Sequence, residues 1–305
     1  MSKFSLSSII QRKFRRLFND EISRHHLIQD LYNKNVLYYR LLPDVIKPEG
    51  LVKKHVQEFL KKEELPSNLN TTISKNDLMF LITLHKYEIE TAFIKYLQIG
   101  FEARNQLKNV IEQTLGGFDK INSFLDFASG HGRLTRFLVH DIDPKKMHIC
   151  EIKEDALNFQ SEQFGVNTIQ STISPNDFET TQQYDLIFVG SLFTHLDKSS
   201  FEGWLVKLSQ ILSNNGVLIF TTHNQRSKSE FEYIQYSEDI MFTEIDGTLS
   251  NADQYGTSFV SESFVRNVLG EYFDQNNVIR KSLGWNNSQD IFIASKKIIH
   301  NPIDN

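Results

Sequence analysis

The chain has little cysteine, no long apolar run and no excess of positive charge. Its one cysteine, Cys150, rules out a disulfide within these 305 residues and fits a reducing compartment. No apolar run approaches the roughly 18 residues of a membrane span, and the N-terminus lacks the apolar core of a signal peptide. The net charge of -5 gives no overall attraction to nucleic acid. We therefore expect a soluble, cytoplasmic, globular protein.

Helical patterns dominate the sequence before residue 120. Asp77–Leu115 is a long stretch with apolar residues at mixed spacings of three and four, and Gly116-Gly117 follows as a plausible stop. These patterns predict a helical N-terminal extension over residues 1–76, followed by the main domain over residues 77–305.

After residue 120, short β-rich runs alternate with amphipathic segments. The runs expected to be strands are Ser123–Ala128, Met147–Ile152, Val166–Gln170, Tyr184–Val189, Val217–Thr222, Val278–Arg280 and Asp290–Ser295. The segments expected to be helices are Leu134–Val139, Asp155–Phe164, Phe201–Leu212, which the linker Ser213–Gly216 stops, and Glu262–Leu269. This alternation predicts an α/β fold with a Rossmann-like, seven-stranded, mostly parallel sheet and helices on both faces. We expect the last two strands to form an antiparallel pair at one edge, a core over 120–297 and an insertion over 224–259.

The segment FLDFASGHGRLTRFL (124–138) runs from a strand through a glycine turn into a helix. Ligands of open parallel sheets bind beyond the carboxyl ends of the strands, so this turn is the expected cofactor site. No GxxxxGK[ST] run is present, which argues against nucleoside-triphosphate chemistry. A dinucleotide fingerprint would place the bulky Arg133 where the third glycine is needed. What remains is a D-x-G-x-G-x-G spacing from Asp126 to Gly132, with Ala128 in the first glycine position.

That spacing resembles motif I of the class I methyltransferases, which use S-adenosylmethionine. The resemblance continues over about residues 95–297 and includes four further blocks. These blocks are CEIKEDAL (150–157), YDLIFVGSLFTHL (184–196), WLVKLSQILSNNGVLIFTTH (204–223) and QDIFIASK (289–296).

The resemblance implies a set of cofactor-binding residues. Asp126 would meet the amino group of the cofactor, and Glu151 would accept its ribose hydroxyls; the alternatives are a turn cap and a solvated strand end. The full set is Asp126, Ala128, Ser129, Gly130, Gly132, Glu151, Ile152, Ser171, Gly190 and Ser191. The family often has an acid after the third strand for the adenine amino group. Here no acid follows until Asp177, which leaves a hydroxyl or backbone group for that contact.

Two histidines are candidates for a base at the transfer cleft. His195 follows the fourth strand and His223 ends the fifth, where a neutral imidazole could take a proton from an acceptor. The alternatives are a packing role for His195 and a surface position for His223. Asp197 is expected to cap the next helix.

The expected acceptor is a hydroxyl or an amine of a small molecule or glycan, with oxygen slightly favoured. No [DN]PP[YF] block follows the fourth strand, Cys150 lies inside a strand, and no residue spacing suggests a metal site. The alternatives are an RNA methyltransferase and a catalytically inactive protein that binds S-adenosylmethionine.

Two further regions each have more than one possible role. The basic, acid-poor helix predicted over Leu6–Phe18 could pack on its own protein or a second copy, lie on an anionic membrane surface, contact RNA phosphates or act as a transit segment. Packing is favoured, with the membrane surface next. The insertion over 224–259 fits a substrate lid or a mobile excursion, and Tyr96 and Phe101 could wall the pocket or pack in the core.

Overall fold

The computed structural model describes residues 42–223, 239–244 and 256–297. Its strands are β1 (Val45–Ile46), β2 (Ile73–Ser74), β3 (Phe124–Phe127), β4 (Met147–Glu151), β5 (Asn167–Gln170), β6 (Tyr184–Val189), β7 (Leu212–Thr222), β8 (Ile240–Glu244), β9 (Gly256–Val260), β10 (Val278–Trp285) and β11 (Gln289–Ser295). Its α-helices are α1 (Gly50–Lys62), α2 (Leu78–Lys86), α3 (Ile89–Leu115), α4 (Thr135–Leu138), α5 (Glu154–Phe164), α6 (Lys198–Gln210) and α7 (Glu262–Leu269).

The central sheet has seven strands in the order β10-β11-β7-β6-β3-β4-β5. Strand β3 runs parallel to β4 and β6, and β11 runs antiparallel to both β7 and β10. The predicted fold, with its antiparallel pair at one edge, is confirmed. Two smaller antiparallel ladders pair β1 with β2 and β8 with β9.

The start of β7 differs from the prediction. Ser213–Gly216 belongs to the strand rather than to a linker, because Leu212 already pairs with Tyr184. The Ser213 hydroxyl also donates to Asp185 Oδ1 at 2.9 Å, which fixes this segment at the start of β6.

The long helical stretch before the sheet is two helices, α2 and α3. Asp77 begins α2 by accepting the backbone N–H groups of Met79 and Phe80 at 2.9 and 3.1 Å. Extended backbone at Tyr87 and Glu88 separates the helices, and Gly116, with a φ of 84°, ends α3 in the left-handed conformation as predicted.

Three apolar clusters form the interior. Leu125 and Phe127 of β3 face the cluster that α6 and α7 complete, whereas Phe124 faces the opposite cluster, between the sheet, α3 and α5. The third cluster joins α1, α2 and the first half of α3 to Phe137 of α4. This third cluster places a helical layer next to the turn that follows β3.

The basic segment Leu6–Phe18 lies outside the described residues, and so does most of the insertion over 224–259, apart from β8 and β9. The membrane contact therefore stays a prediction. Among the helices that the structure describes, none has the length and apolarity to cross a membrane.

Candidate functional site

The turn after β3 depends on left-handed backbone at three positions. Ala128, Gly130 and Gly132 have φ values of 60°, 62° and 79°. A Cβ on Gly132 would lie 2.5 Å from the Phe164 ring, whereas a Cβ on Gly130 would meet no protein atom within 4 Å. At Ala128 this conformation stores strain of about 1 kcal/mol, which a glycine at the same position would not carry.

Gln160 of α5 holds this turn in place. Its side chain is fully buried and donates to the Gly130 carbonyl at 2.8 Å and to Ser129 Oγ at 2.9 Å. Its Oε1 accepts from the Thr135 hydroxyl at 2.6 Å. Sequence reasoning missed this residue, although an amide on the buried face of α5 was the signal.

The Glu151 carboxylate is fixed against the same turn. Its Oε2 accepts the Gly130 N–H at 2.8 Å, and its Oε1 accepts the N–H groups of Ile152 and Lys153 at 2.8 and 3.3 Å. The residue is 8% exposed. Each carboxylate oxygen can accept further hydrogen bonds, so the site offers a positioned acceptor for ligand hydroxyls.

Asp126 ends β3 in a different environment. Burial, with the nearby Glu151 carboxylate as a second cause, raises the pKa of Asp126 to about 7. Its Oδ2 is buried and has no hydrogen-bond partner among the described residues. A buried carboxylate oxygen without a partner is costly, and a ligand ammonium group would satisfy it.

A cavity of about 430 Å³ opens beyond the carboxyl ends of the parallel strands. It brings together His195 and every predicted cofactor residue except Gly132. The hydroxyl residues Ser171 and Thr172 also line it, whereas Asp177, in a short 3-10 helix, does not. Ile152 and Ile173 are 47% and 59% exposed and offer apolar surface to a ligand. The roles of these residues stay predictions, but the fold places the residues themselves around one cavity.

His195 is held by β9. Its Nδ1 lies 2.8 Å from the Gly256 carbonyl oxygen, and its own carbonyl accepts the Gly256 N–H at 2.7 Å. The Ser258 hydroxyl donates to the Leu196 carbonyl. The Gly256 carbonyl can only accept, so this contact requires a proton on Nδ1; in the neutral form of the ring the lone pair is then on Nε2.

His223 is not among the residues that line the cavity. Its ring stacks on Phe259 with the ring centroids 5.3 Å apart. Burial, with the neighbouring His195 as a second cause, lowers the pKa of His223 to about 4, so the ring is neutral at physiological pH. Its role as a base stays a prediction that no contact with the cavity supports.

The helical layer of residues 42–100 is bonded to the turn through Arg136. This fully buried side chain donates to the carbonyls of Asn70 and Thr72 at 3.2 and 2.9 Å and to the Tyr96 hydroxyl at 3.4 Å. Leu78 and Met79, at the start of α2, line the cavity. Sequence reasoning missed Arg136, whose signal was a charge inside the apolar run LTRFL.

A second bond joins the same two regions. Asn76 Nδ2 donates to Asp155 Oδ2 at 2.7 Å, and His131 Nε2 lies 3.1 Å from the same oxygen. The hydrogen bond with His131 is the main cause that lowers the pKa of Asp155 to about 2. His131 is 6% exposed and lines the cavity.

Three other expectations concerned packing and capping. Tyr96 and Phe101 pack in the third apolar cluster and do not line the cavity. Asp197 caps α6 by accepting the Ser200 N–H at 2.7 Å, as predicted. Cys150 is fully buried, and burial raises the pKa of its thiol to about 12, consistent with a core residue.

The strand order with its reversed β11, the glycine turn after β3 and the fixed carboxylate after β4 together match the class I methyltransferase fold. Residues 125–218 match the family model described as a methyltransferase domain. The predicted enzyme class, a methyltransferase that uses S-adenosylmethionine, is confirmed.

Several solved structures are similar in fold. An S-adenosylmethionine-dependent methyltransferase from Clostridium acetobutylicum ATCC 824 is 14% identical, with 63% of this chain and 89% of that chain covered and a TM-score of 0.45. The glycopeptide N-methyltransferase MtfA is 15% identical, with 64% of this chain and 89% of that chain covered and a TM-score of 0.45. DesVI of Streptomyces venezuelae is 11% identical, with 68% of this chain and 98% of that chain covered and a TM-score of 0.45. No curated protein matches the sequence.

Proposed function

We propose that the chain transfers the methyl group of S-adenosylmethionine to a hydroxyl or an amine of a small-molecule or glycan acceptor, with His195 as general base. The observation that carries this proposal is the position of His195. It lines the same cavity as Asp126 and Glu151, and β9 holds its ring through Nδ1. In this proposal Glu151 accepts the ribose hydroxyls, and Asp126 binds the amino group of the cofactor.

In such a transfer the residues of the chain position the reactants, exclude water and accept one proton. The bound cofactor supplies an electrophilic methyl group whose carbon–sulfur bond breaks as the acceptor oxygen or nitrogen bonds to the carbon. The cavity positions the acceptor and excludes water. His195 takes the acceptor proton on Nε2 while Nδ1–H stays bonded to the Gly256 carbonyl.

Turnover by a His195→Asn variant tests the base. The Asn amide can still donate to Gly256, so the contact with β9 is kept while the basic nitrogen is lost. We expect turnover to fall by about 10²- to 10⁴-fold with unchanged affinity for S-adenosylhomocysteine. His140→Asn, at an exposed position outside the cavity, is the control.

A panel of hydroxyl and amine acceptors with methyl-labelled cofactor supplies the assay. Unchanged turnover in His195→Asn would remove His195 from the mechanism. Binding of the cofactor without methylation of any acceptor would favour the alternative of an inactive binding protein.

A further inference from the structure

Trp285, the last residue of β10, lies in the wall of the cavity although two strands separate β10 from β6. Its ring packs on Phe188 of β6, with the ring centroids 5.1 Å apart and an angle of 48° between the ring planes. Both rings line the cavity, and Trp285 is 5% exposed. The carboxyl end of β10 therefore reaches the cavity in which the proposed methyl transfer takes place.

The indole N–H of Trp285 makes no hydrogen bond within the described ranges. The edge of the ring that carries this N–H is turned toward Gly190, which lines the cavity. A Cβ built on Gly190 would lie 3.8 Å from Trp285 Cζ2, and Cζ2 and Nε1 are both bonded to Cε2. Buried indole N–H groups usually have a partner, and here an oxygen of a ligand in the cavity would supply it.

An irregular stretch of β10 holds the ring in this position. Lys281 pairs with Ile291 and Trp285 with Gln289, so β10 has two more residues than β11 between these pairs. Within this bulge Leu283 has a φ of 52°, a left-handed conformation that is unfavourable for a residue with a side chain. Bulges re-aim side chains, and strained backbone of this kind is found most often at functional sites.

Side chains of β11 and α3 fix the strained segment. The buried Asp290 accepts the Leu283 N–H on Oδ1 at 2.9 Å, and Arg280 Nε donates to its Oδ2 at 2.5 Å. Gln106 of α3 accepts the Asn286 N–H at 3.1 Å. The indole ring is thus held in place by its backbone, so little conformational entropy is lost when it contacts a ligand.

The cavity wall around this ring is neutral. Phe188, Gly190, Ser191 and Trp285 contribute to it, and none of the four carries a charge. The Ser191 hydroxyl is placed by Gln289, whose Oε1 accepts from it at 3.2 Å. The acids, the lysine and the arginine that line the cavity come from β3, β4, the turns after them and the residue that caps α2. A neutral wall with an aromatic ring, an N–H and a hydroxyl matches a ligand ring with an apolar face and hydroxyl groups at its edge.

We propose that Trp285 contacts the methyl acceptor and selects a sugar ring. The C–H groups on one face of the sugar pack on the negative face of the indole, and the indole N–H donates to a sugar oxygen. The inference rests on the proposed function, because it adds the chemistry of the acceptor to the same cavity. A phenol, which has a planar ring and a single hydroxyl, is the rival acceptor.

Tryptophan fluorescence tests this contact directly, because the chain has only two tryptophans. In Trp204→Phe the emission reports Trp285 alone. We expect methyl glycosides of neutral and amino hexoses, titrated to millimolar concentrations, to change this emission saturably with and without bound S-adenosylhomocysteine. Phenol and glycerol should give no saturable change. Calorimetric titration of the wild-type protein with the same compounds is the second measurement, and it does not depend on the fold of the variant.

Trp285→Phe keeps an apolar ring and removes the donor. We expect its affinity for the glycosides to fall about tenfold, as for the loss of one hydrogen bond, while its affinity for S-adenosylhomocysteine stays within about twofold. Tyr87→Phe, which removes a donor from an exposed aromatic residue outside the cavity, is the matched control and should change neither affinity.

The outcomes separate this inference from the proposed function. Equal weakening of glycoside and S-adenosylhomocysteine binding in Trp285→Phe would assign the ring to the cofactor and overturn the inference. Glycosides that do not bind the wild type, or a saturable response to phenol alone, would also overturn it. A wild-type protein that binds glycosides through Trp285 but does not bind S-adenosylhomocysteine, or that binds both and transfers no methyl group, would support the sugar site and contradict the proposed function.

Discussion

At the scale of single residues, the site depends on an unfavourably placed carboxylate. Asp126 is 3% exposed, and burial raises its pKa to about 7 because the surrounding protein solvates the ionised carboxylate poorly. The sequence predicts the carboxylate and its place in the motif. It does not predict the missing partner of Oδ2, because that depends on what surrounds the strand end in three dimensions.

Asp126→Asn should change both stability and binding in a pH-dependent way. Between about pH 4 and pH 7 the folded wild type keeps a proton that the unfolded chain releases, so wild-type stability falls as pH rises through this range. The variant lacks this loss, so its free energy of unfolding should exceed that of the wild type by a few kcal/mol at pH 8 and should differ little from it near pH 4. If Asp126 binds the amino group of the cofactor as proposed, the affinity of the variant for S-adenosylhomocysteine should fall, because the ligand ammonium loses its anion.

Urea unfolding from pH 5 to pH 8.5 and calorimetry measure these two effects. Glu154→Gln, at an exposed position in the first turn of α5, is the control for loss of a carboxylate. A stability difference that does not grow with pH would show that Asp126 is ionised at low pH in the folded protein.

At the scale of elements, the sequence predicts the strands closely, but it does not predict the contacts between elements. Period-two runs bounded by polar turns locate all seven strands of the central sheet. The break between α2 and α3 is missed because Tyr87 and Glu88 carry no glycine or proline signal. The bonds of Gln160 to the turn are also missed, because they depend on how α5 packs against it.

Alanine substitutions at two glycines of the turn distinguish an effect on packing from an effect on cofactor binding. Gly132→Ala adds a Cβ 2.5 Å from Phe164 of α5 in a left-handed conformation, so we expect a loss of about 2–4 kcal/mol of stability. Gly130→Ala has the same backbone strain but no clash, so we expect a loss of about 1–2 kcal/mol. Because Gly130 lines the cavity, its added methyl group should also weaken cofactor binding.

Urea unfolding and titration with S-adenosylhomocysteine compare the two variants directly, and each serves as the control for the other. Equal losses of stability would show that α5 moves away from the turn at little cost. A Gly130→Ala variant with wild-type affinity would place the ligand away from this glycine.

At the scale of the whole molecule, the cavity is built by two layers. The turns after the parallel strands supply most of its polar groups, and Leu78 and Met79 of the helical layer supply part of its apolar lining. Arg136 and the Asn76–Asp155 bond connect the layers. The sequence predicts a helical segment before the sheet, but the carbonyls that receive Arg136 lie in irregular backbone that no periodic pattern locates.

Cofactor binding should therefore stabilise both layers together. Saturating S-adenosylhomocysteine, at about 100 times its dissociation constant, adds roughly 2.7 kcal/mol to the stability of the folded state. Because local opening is suppressed wherever the ligand is contacted, we expect slower amide hydrogen exchange in residues 128–132 and also in residues 78–81 at the start of α2. Helix α7, none of whose residues lines the cavity, is the internal control for global stabilisation. Protection confined to residues 128–132 would mean that the helical layer covers the site without contacting the cofactor, and α2 would then be free to contact the acceptor instead.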